Sequence, residues 1–257
     1  MKDWNTQIYR GILTGFNEAF IIDGATKDKL IASSSKNAEI IRPILRGRDV
    51  KRYSSSFADN WIINTHNGIK EKGVERINVI NDFPIVFDHL YKYKKELEIR
   101  SDKGYHWTNL RNCAYLEDLE KNKIIWIELT DHPNFCLDTE GYYINNTIFF
   151  MIGERLPYIL SVLNSKLCEW YFTKIAATSG AGTRRWIKMY VDQIRIPSDV
   201  DINIENKLSE YILKVQNFKN KGTETKEIEQ EIDSEIFKLF NLTDEEIKFV
   251  SYSLLTK

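Results

Sequence analysis

Cysteine, proline and histidine are all scarce in this 257-residue chain, and each scarcity narrows what the protein can be. The three cysteines, Cys113, Cys136 and Cys168, are scattered and odd in number. They form no Cys-x-x-Cys pair and no cysteine–histidine cluster, which argues against a disulfide framework and against a zinc site. A reduced, cytoplasmic setting is the expectation. The opening MKDWNTQIYRG has no apolar stretch of the kind a signal peptide needs. Apolar runs such as residues 147–152 are far too short to span a bilayer, so no membrane partner is expected.

Catalytic signatures are missing as well. No GxxxxGK[ST], GxGxxG after a strand, HExxH or GxSxG occurs. The four histidines, His66, His89, His106 and His132, are dispersed. Asp82, Asp88, Glu96 and Glu98 lie in a region where a metal-dependent nuclease would need carboxylates. Glu96 and Glu98, however, follow Lys94 and Lys95 on an amphipathic helical pattern, which reads as a solvated face with i,i+4 charge pairs. An Asn-Pro-Pro-aromatic motif of S-adenosylmethionine-dependent amino methylation is absent, since Asn145-Asn146 lacks the prolines. No catalytic residue and no metal ligand is therefore expected in this chain.

What is present is an ordinary globular composition, 42% hydrophobic and 28% charged, enough for a sizeable core. The net charge of −1 conceals a polarised distribution. Residues 1–111 carry 19 Lys/Arg against 14 Asp/Glu, residues 112–197 carry 9 against 10, and residues 198–257 carry 8 against 13. A basic front can bind phosphate despite an acidic tail, because screening confines each interaction to about 8–10 Å.

The pattern divides at Pro197-Ser198-Asp199, where proline ends one element and Ser/Asp can cap the next. Residues 1–197 mix strands and helices without βαβ alternation, which predicts an α+β body. Residues 198–257 predict an antiparallel helical pair, packing on that body or on a larger parent. Strands over 7–13 and 19–23 are expected around the turn Thr14-Gly15-Phe16-Asn17. A short helix capped by Ser35 and a longer one starting at Asp82 should follow. Residues 123–129 and 142–152 read as buried strands, and 157–172 as a buried helix. In the tail, Ile204, Leu208, Ile212 and Val215 form one helical stripe, and Ile228, Ile232, Ile236 and Leu239 another. Thr243 to Glu246 is a capping box for a final helix.

Three segments carry the chemistry of binding. Arg42-Pro43-Ile44-Leu45-Arg46-Gly47-Arg48-Asp49-Val50-Lys51-Arg52 holds five basic residues in eleven positions, and arginine forks suit phosphates and guanine edges. Structural salt bridges compete with that use. Ser179-Gly180-Ala181-Gly182-Thr183-Arg184-Arg185-Trp186-Ile187-Lys188 runs a glycine loop into arginines and lysine, with Trp186 as an anchor. Tyr105-His106-Trp107-Thr108-Asn109-Leu110-Arg111 interleaves aromatic and basic residues as base-stacking loops do; a loop pinned to the core by Trp107 is the plainer reading.

Taken in order, these segments resemble the TaqI-like C-terminal specificity domain of adenine-specific DNA methyltransferases and single-chain restriction–modification enzymes. The resemblance runs through Ile8-Tyr9-Arg10-Gly11 to Asp23 and Ile40-Ile41-Arg42-Pro43 to Tyr53. It continues through Trp107 to Arg111, Lys123-Ile124-Ile125-Trp126, Tyr143 to Thr147, Leu163-Asn164-Ser165-Lys166 and Arg195-Ile196-Pro197. The stretch from Glu231 to Glu246 resembles the family's ending.

The resemblance implies a sequence-specific double-stranded DNA recognition module, a piece of a longer parent enzyme. Upstream parts would bind S-adenosylmethionine, methylate adenine N6 and, in some parents, cut DNA with magnesium; no cofactor belongs to this chain itself. The expected DNA-binding residues are Thr14, Asn17, Arg46, Arg48, Lys51, Arg52, Lys70, Trp107, Arg111, Thr183, Arg184, Arg185 and Lys188. Most would touch phosphates, with base reading from loops 14–17, 66–70, 105–111 and 179–185. The competing readings are a protein-interaction module without DNA binding and a stand-alone nuclease.

Overall fold

In the extended runs at 124–126 and 148–151 every side chain is apolar, and in a strand consecutive side chains point to opposite faces. Such strands must be covered on both sides, and they are. In the computed structural model, which describes residues 4–178 and 182–255, Lys123–Ile127 and Ile148–Gly153 pair antiparallel at the centre of a four-stranded sheet. Thr6–Arg10 joins the far side of Ile148–Gly153, and Phe135–Asp138 the far side of Lys123–Ile127. Ile124, Trp126, Phe135, Leu137, Phe149 and Met151 enter one apolar cluster. Ile125, Cys136, Ile148 and Phe150 enter the other. Each such large side chain contributes roughly 1.5–3 kcal/mol by its burial.

Helices complete the first cluster. Leu156–Leu163 and Lys166–Ile175 bring Ile159, Leu160, Cys168 and Phe172; Ile202–Asn220 and Lys226–Leu239 bring Leu208, Ile212, Val215, Ile232 and Ile236. The second cluster is closed by another four-stranded sheet. In it Tyr143–Ile144 runs parallel to Ile41–Leu45, while Asn60–Ile63 and Ile21–Asp23 continue antiparallel. The helices Gly24–Ser33, Pro84–Tyr91 and Lys94–Ile99 cover that side with Leu30, Val86, Leu90 and Leu97. The result is an α+β fold ending in helices.

The chain passes from the first sheet to the second at Gly11. Its N–H donates to the Ile148 carbonyl, and the next N–H, of Ile12, donates to Ile144, each at 2.8 Å. A Cβ at Gly11 would overlap the Asn145 carbonyl, so only glycine permits this approach. At the edge of the central sheet, Lys123 and Asp138 form a fully buried ion pair of 2.6 Å. Asp138 also accepts from the main-chain N–H groups of Glu140 and Tyr142, and Lys123 donates to the Leu119 carbonyl. The pair therefore leaves no lone charge inside.

Several local expectations need correction. Strands 7–13 and 19–23 do not form a hairpin. Asn17–Phe20 is a helical turn, Thr6–Arg10 pairs with Ile148–Gly153, and Ile21–Asp23 pairs with Asn60–Ile63. Residues 142–152 split between the two sheets at a turn over 145–147. The expected helix over 157–172 is two helices, because Ser165 caps the second through the Cys168 N–H. Asp82 ends the short helix Val79–Asp82 instead of capping one, and Asn78 is the cap. The first tail helix is capped by Asp201, not by Ser198 or Asp199. The Thr243–Glu246 capping box is present, with reciprocal bonds of 2.8 and 3.3 Å. Among the described residues no helix is long and apolar enough to cross a membrane.

Candidate nucleic-acid interface

Three of the four expected reading loops are held together by buried polar groups. The guanidinium of Arg100 donates to the main-chain carbonyls of Thr14, Trp107 and Asn109, and lies 4.6 Å from the Phe20 ring centroid. Burial pushes its pKa down to about 10, so it remains charged at neutral pH. Asn67 accepts from the Tyr105 N–H at 2.7 Å and donates to the Leu110 carbonyl, which ties loop 66–70 to loop 105–111. Asn109, fully buried, donates to the carbonyls of Thr65 and Ile77. Burial holds His66 and His106 below the ordinary histidine pKa, so both are neutral at pH 7.

The fourth loop is anchored elsewhere. Trp186 is buried, stacked face to face on Phe172 at 3.5 Å, and donates to the Thr130 carbonyl. Such a ring pair adds about 0.5–1.5 kcal/mol beyond its burial. The backbone of Arg184–Arg185 pairs with Leu129–Thr130. Ser179, Gly180 and Ala181 lie outside the described residues.

The turn over 145–147 joins these parts. Its Asn146 carbonyl accepts from Arg10 Nε at 2.6 Å, and its Thr147 hydroxyl accepts from the Gly47 N–H at 3.1 Å. A Cβ on Gly47 would sit 2.8 Å from that hydroxyl oxygen, so glycine lets the Arg46–Arg48 turn lie against it. Beside the turn opens a cleft of about 290 Å³ lined by Arg10, Leu13, Arg111, Asn112, Tyr115 and Asn146, among others. Arg48, Lys51, Lys70, Arg111, Arg185, Lys188 and Asn17 are exposed. Several of these cations already have a carboxylate: Arg111 with Asp102 (3.0 Å), Lys188 with Asp192 (2.9 Å), and Arg185 with Glu128. Arg46 sits 3.5 Å from Asp49, and Thr183 and Arg184 are half-buried.

Three expected contacts are used inside the protein. Arg52 pairs with Glu229 of the C-terminal helices at 3.1 Å and packs on Tyr53. Thr14 is buried, and its hydroxyl donates to Asn17 Oδ1 at 2.7 Å. Trp107 leans on Phe87 and Tyr91 of the Pro84–Tyr91 helix and pins its loop. The structure adds residues that the sequence did not single out. Arg10, Glu128, Asn146 and Arg100 have no local motif, although Arg10 and Asn146 lie in runs that carried the resemblance. Exposed Tyr105, with the Arg76 guanidinium 4.5 Å from its ring centroid, is a further stacking surface.

An α+β body that carries loops pinned by Arg100, Asn67 and Trp186, beside a cleft lined by Arg10 and Arg111, has the form of a DNA target-recognition module, and the family agrees. The TaqI-like C-terminal specificity domain matches residues 42–196, and the chain belongs to that family. Its fold is shared with the type IIL restriction-modification enzyme MmeI, solved in complex with DNA. The TM-score is 0.71 at 10% identity, over 96% of this chain and 34% of that one. The type IIG restriction endonuclease BpuSI aligns with TM-score 0.49 at 13% identity, over 91% of this chain and 30% of that one. The chain thus spans about a third of the length of each of these two enzymes. No curated protein sequence matches it.

Proposed function

We propose that this chain reads a specific sequence in double-stranded DNA on behalf of a larger restriction–modification enzyme. One observation carries the reading: a member of a specificity-domain family builds its basic cleft from Arg10, Arg111 and Asn146 of the 145–147 turn, with the Arg46–Arg48 turn resting on Thr147 of that turn. Arg46, Arg48, Lys51, Lys70 and Lys188 supply phosphate contacts, which set position without reading sequence. Asn17, Arg111, Thr183, Arg184 and Arg185 lie on the loops that reach base edges. Thr14 and Trp107 shape those loops, and Arg52 belongs to the interior.

In the parent, the chemistry is adenine N6 methylation with S-adenosylmethionine, joined in cutting parents by magnesium-dependent cleavage. Both belong to parts outside this chain, and the base is flipped while this module holds the duplex. The family assignment and the MmeI-like fold support this division of labour. Titration of the chain with labelled random duplex at two salt concentrations tests the binding. Affinity should fall steeply with salt. Salt-independent binding, or none, would favour a protein-interaction module instead. Methylation of adenine by the parent enzyme, lost when this module is deleted, tests the assigned chemistry.

A further inference from the structure

Glu128 has its main chain fully committed. Its N–H donates to the Thr147 carbonyl at 3.1 Å, and its carbonyl accepts from the Trp186 N–H at 2.7 Å. The carboxylate is thereby fixed between two arginines 175 positions apart in the sequence. Oε2 accepts from Arg10 Nη2 at 2.7 Å, and Oε1 accepts from Arg185 Nε at 3.1 Å and from its Nη2. Arg10 is steadied further by its Nε bond to Asn146. The Glu128 side chain is 11% exposed, whereas those of Arg10 and Arg185 remain 50% and 53% exposed.

We propose that Glu128 is a positioning residue that aims Arg10 and Arg185 at guanine on the major-groove edge of the recognised sequence, an inference that rests on the DNA-reading function above. Two features select a base edge over a phosphate. A guanidinium has five donors in a fixed fork. Arg185 spends its Nε–Nη2 edge on Glu128, which leaves the Nη1–Nη2 end uncommitted to Glu128 on a half-exposed side chain. Guanine O6 and N7 accept a parallel pair of such donors. The second feature is charge. A phosphate site gains from every positive charge and loses from a carboxylate placed between its two cations. A neutral acceptor pair pays no such penalty and gains from donors that are already oriented. Glu128 therefore weakens this spot for phosphate while sharpening it for a base.

The test uses the whole chain and a random-duplex pool, with the bound fraction sequenced for the native protein and for Arg10→Ala, Arg185→Lys and Glu128→Gln. Thermal unfolding of each variant is measured alongside. The native protein should select a motif with a G·C position that fades in all three variants. Arg185→Lys keeps the charge and loses the fork, so discrimination at the G·C position should fall by more than affinity for random duplex does. Glu128→Gln should bind random duplex more tightly while discriminating less. Replacing the selected guanine with 7-deazaguanine should cost the native protein about tenfold in affinity and cost Arg185→Lys little.

The proposal is overturned if the variants keep the G·C position, or if they change affinity for all sequences alike, as a phosphate clamp would. If the native chain selects a motif that contains no G·C position, this inference fails and the DNA-reading function stands. If it binds no duplex, that function itself fails. Should Glu128→Gln not fold, Arg185→Lys and the 7-deazaguanine duplex decide the matter.

Discussion

The indole N–H of Trp126 donates to the main-chain carbonyl of Trp186 across 2.6 Å, wholly within the core. One bond thus ties the central sheet to the base of the Arg184–Arg185 segment. Trp126→Phe keeps an aromatic side chain but loses the pyrrole part of the indole and leaves that buried carbonyl without its donor. A loss of about 1–3 kcal/mol is expected. Trp186→Ala, which also removes the stack on Phe172, should cost about 3–5 kcal/mol. Chemical denaturation measures both, and an unchanged midpoint for Trp186→Ala would contradict its role as anchor.

Arg100 does for loops 14–17 and 105–111 what Trp186 does for the loop over 179–185. Its removal leaves the carbonyls of Thr14, Trp107 and Asn109 without their shared donor. Arg100→Ala should destabilise the protein by roughly 3 kcal/mol. Arg100→Lys should recover only part, since one ammonium does not reproduce the fork. Hydrogen exchange at 14–17 and 105–111 should quicken together in both variants. Independent behaviour of the two loops would show that Arg100 does not couple them.

Arg48 and Arg52 lie four positions apart in one basic run, yet they should respond oppositely to alanine. Arg48 is exposed on the turn against Thr147. Its loss should leave stability unchanged and reduce the slope of log K against log salt by about one. Loss of Arg52 removes one partner of Glu229, which keeps Lys219 and the Thr225 hydroxyl, and should cost roughly 2 kcal/mol of stability, with the salt slope intact. Salt titrations paired with unfolding curves separate the two outcomes.

Acid should loosen the C-terminal helices. Arg52, Lys219 and the Thr225 hydroxyl outweigh burial and hold Glu229 below the ordinary glutamate value of 4.5. Glu235 is held down by Lys238 and Lys207. A carboxylate whose folded pKa is depressed contributes stability above 4.5 that is lost as pH falls through its folded value. Asp233 works the other way: burial raises it above 3.8, so its protonation relieves a penalty and offsets part of the loss. Stability should therefore decline below about pH 4.5, and Glu229→Gln should flatten that decline. An identical pH profile for Glu229→Gln would remove Glu229 as a source.

Much of this protein was readable in its residues. Continuous apolar runs at 124–127 and 148–152 announced strands buried on both faces, because two-residue alternation leaves no side for water. The Thr243–Glu246 box and the stripes through Leu208–Ile212–Val215 and Ile232–Ile236 marked the tail helices, because those signals act within a turn or two. The ordered series of segments pointed to the family. The helix Gly24–Ser33 escaped notice, since it buries little beyond Leu30 and so has almost no apolar periodicity.

What only the tertiary structure decided was partnership. Strand Thr6–Arg10 pairs with Ile148–Gly153 instead of its sequence neighbour, because burying both faces of the central sheet outweighs a local hairpin. The basic run over 42–52 looked uniform, but Glu229, contributed by a distant helix, draws Arg52 inward and leaves Arg48 outside. Glu128 carried no signal at all as a lone carboxylate at a strand end. It gained meaning when folding brought Arg10 and Arg185 to it. Local rules settle helices, caps and strand burial; the pairing of charges depends on distances that exist only once the chain has closed on itself.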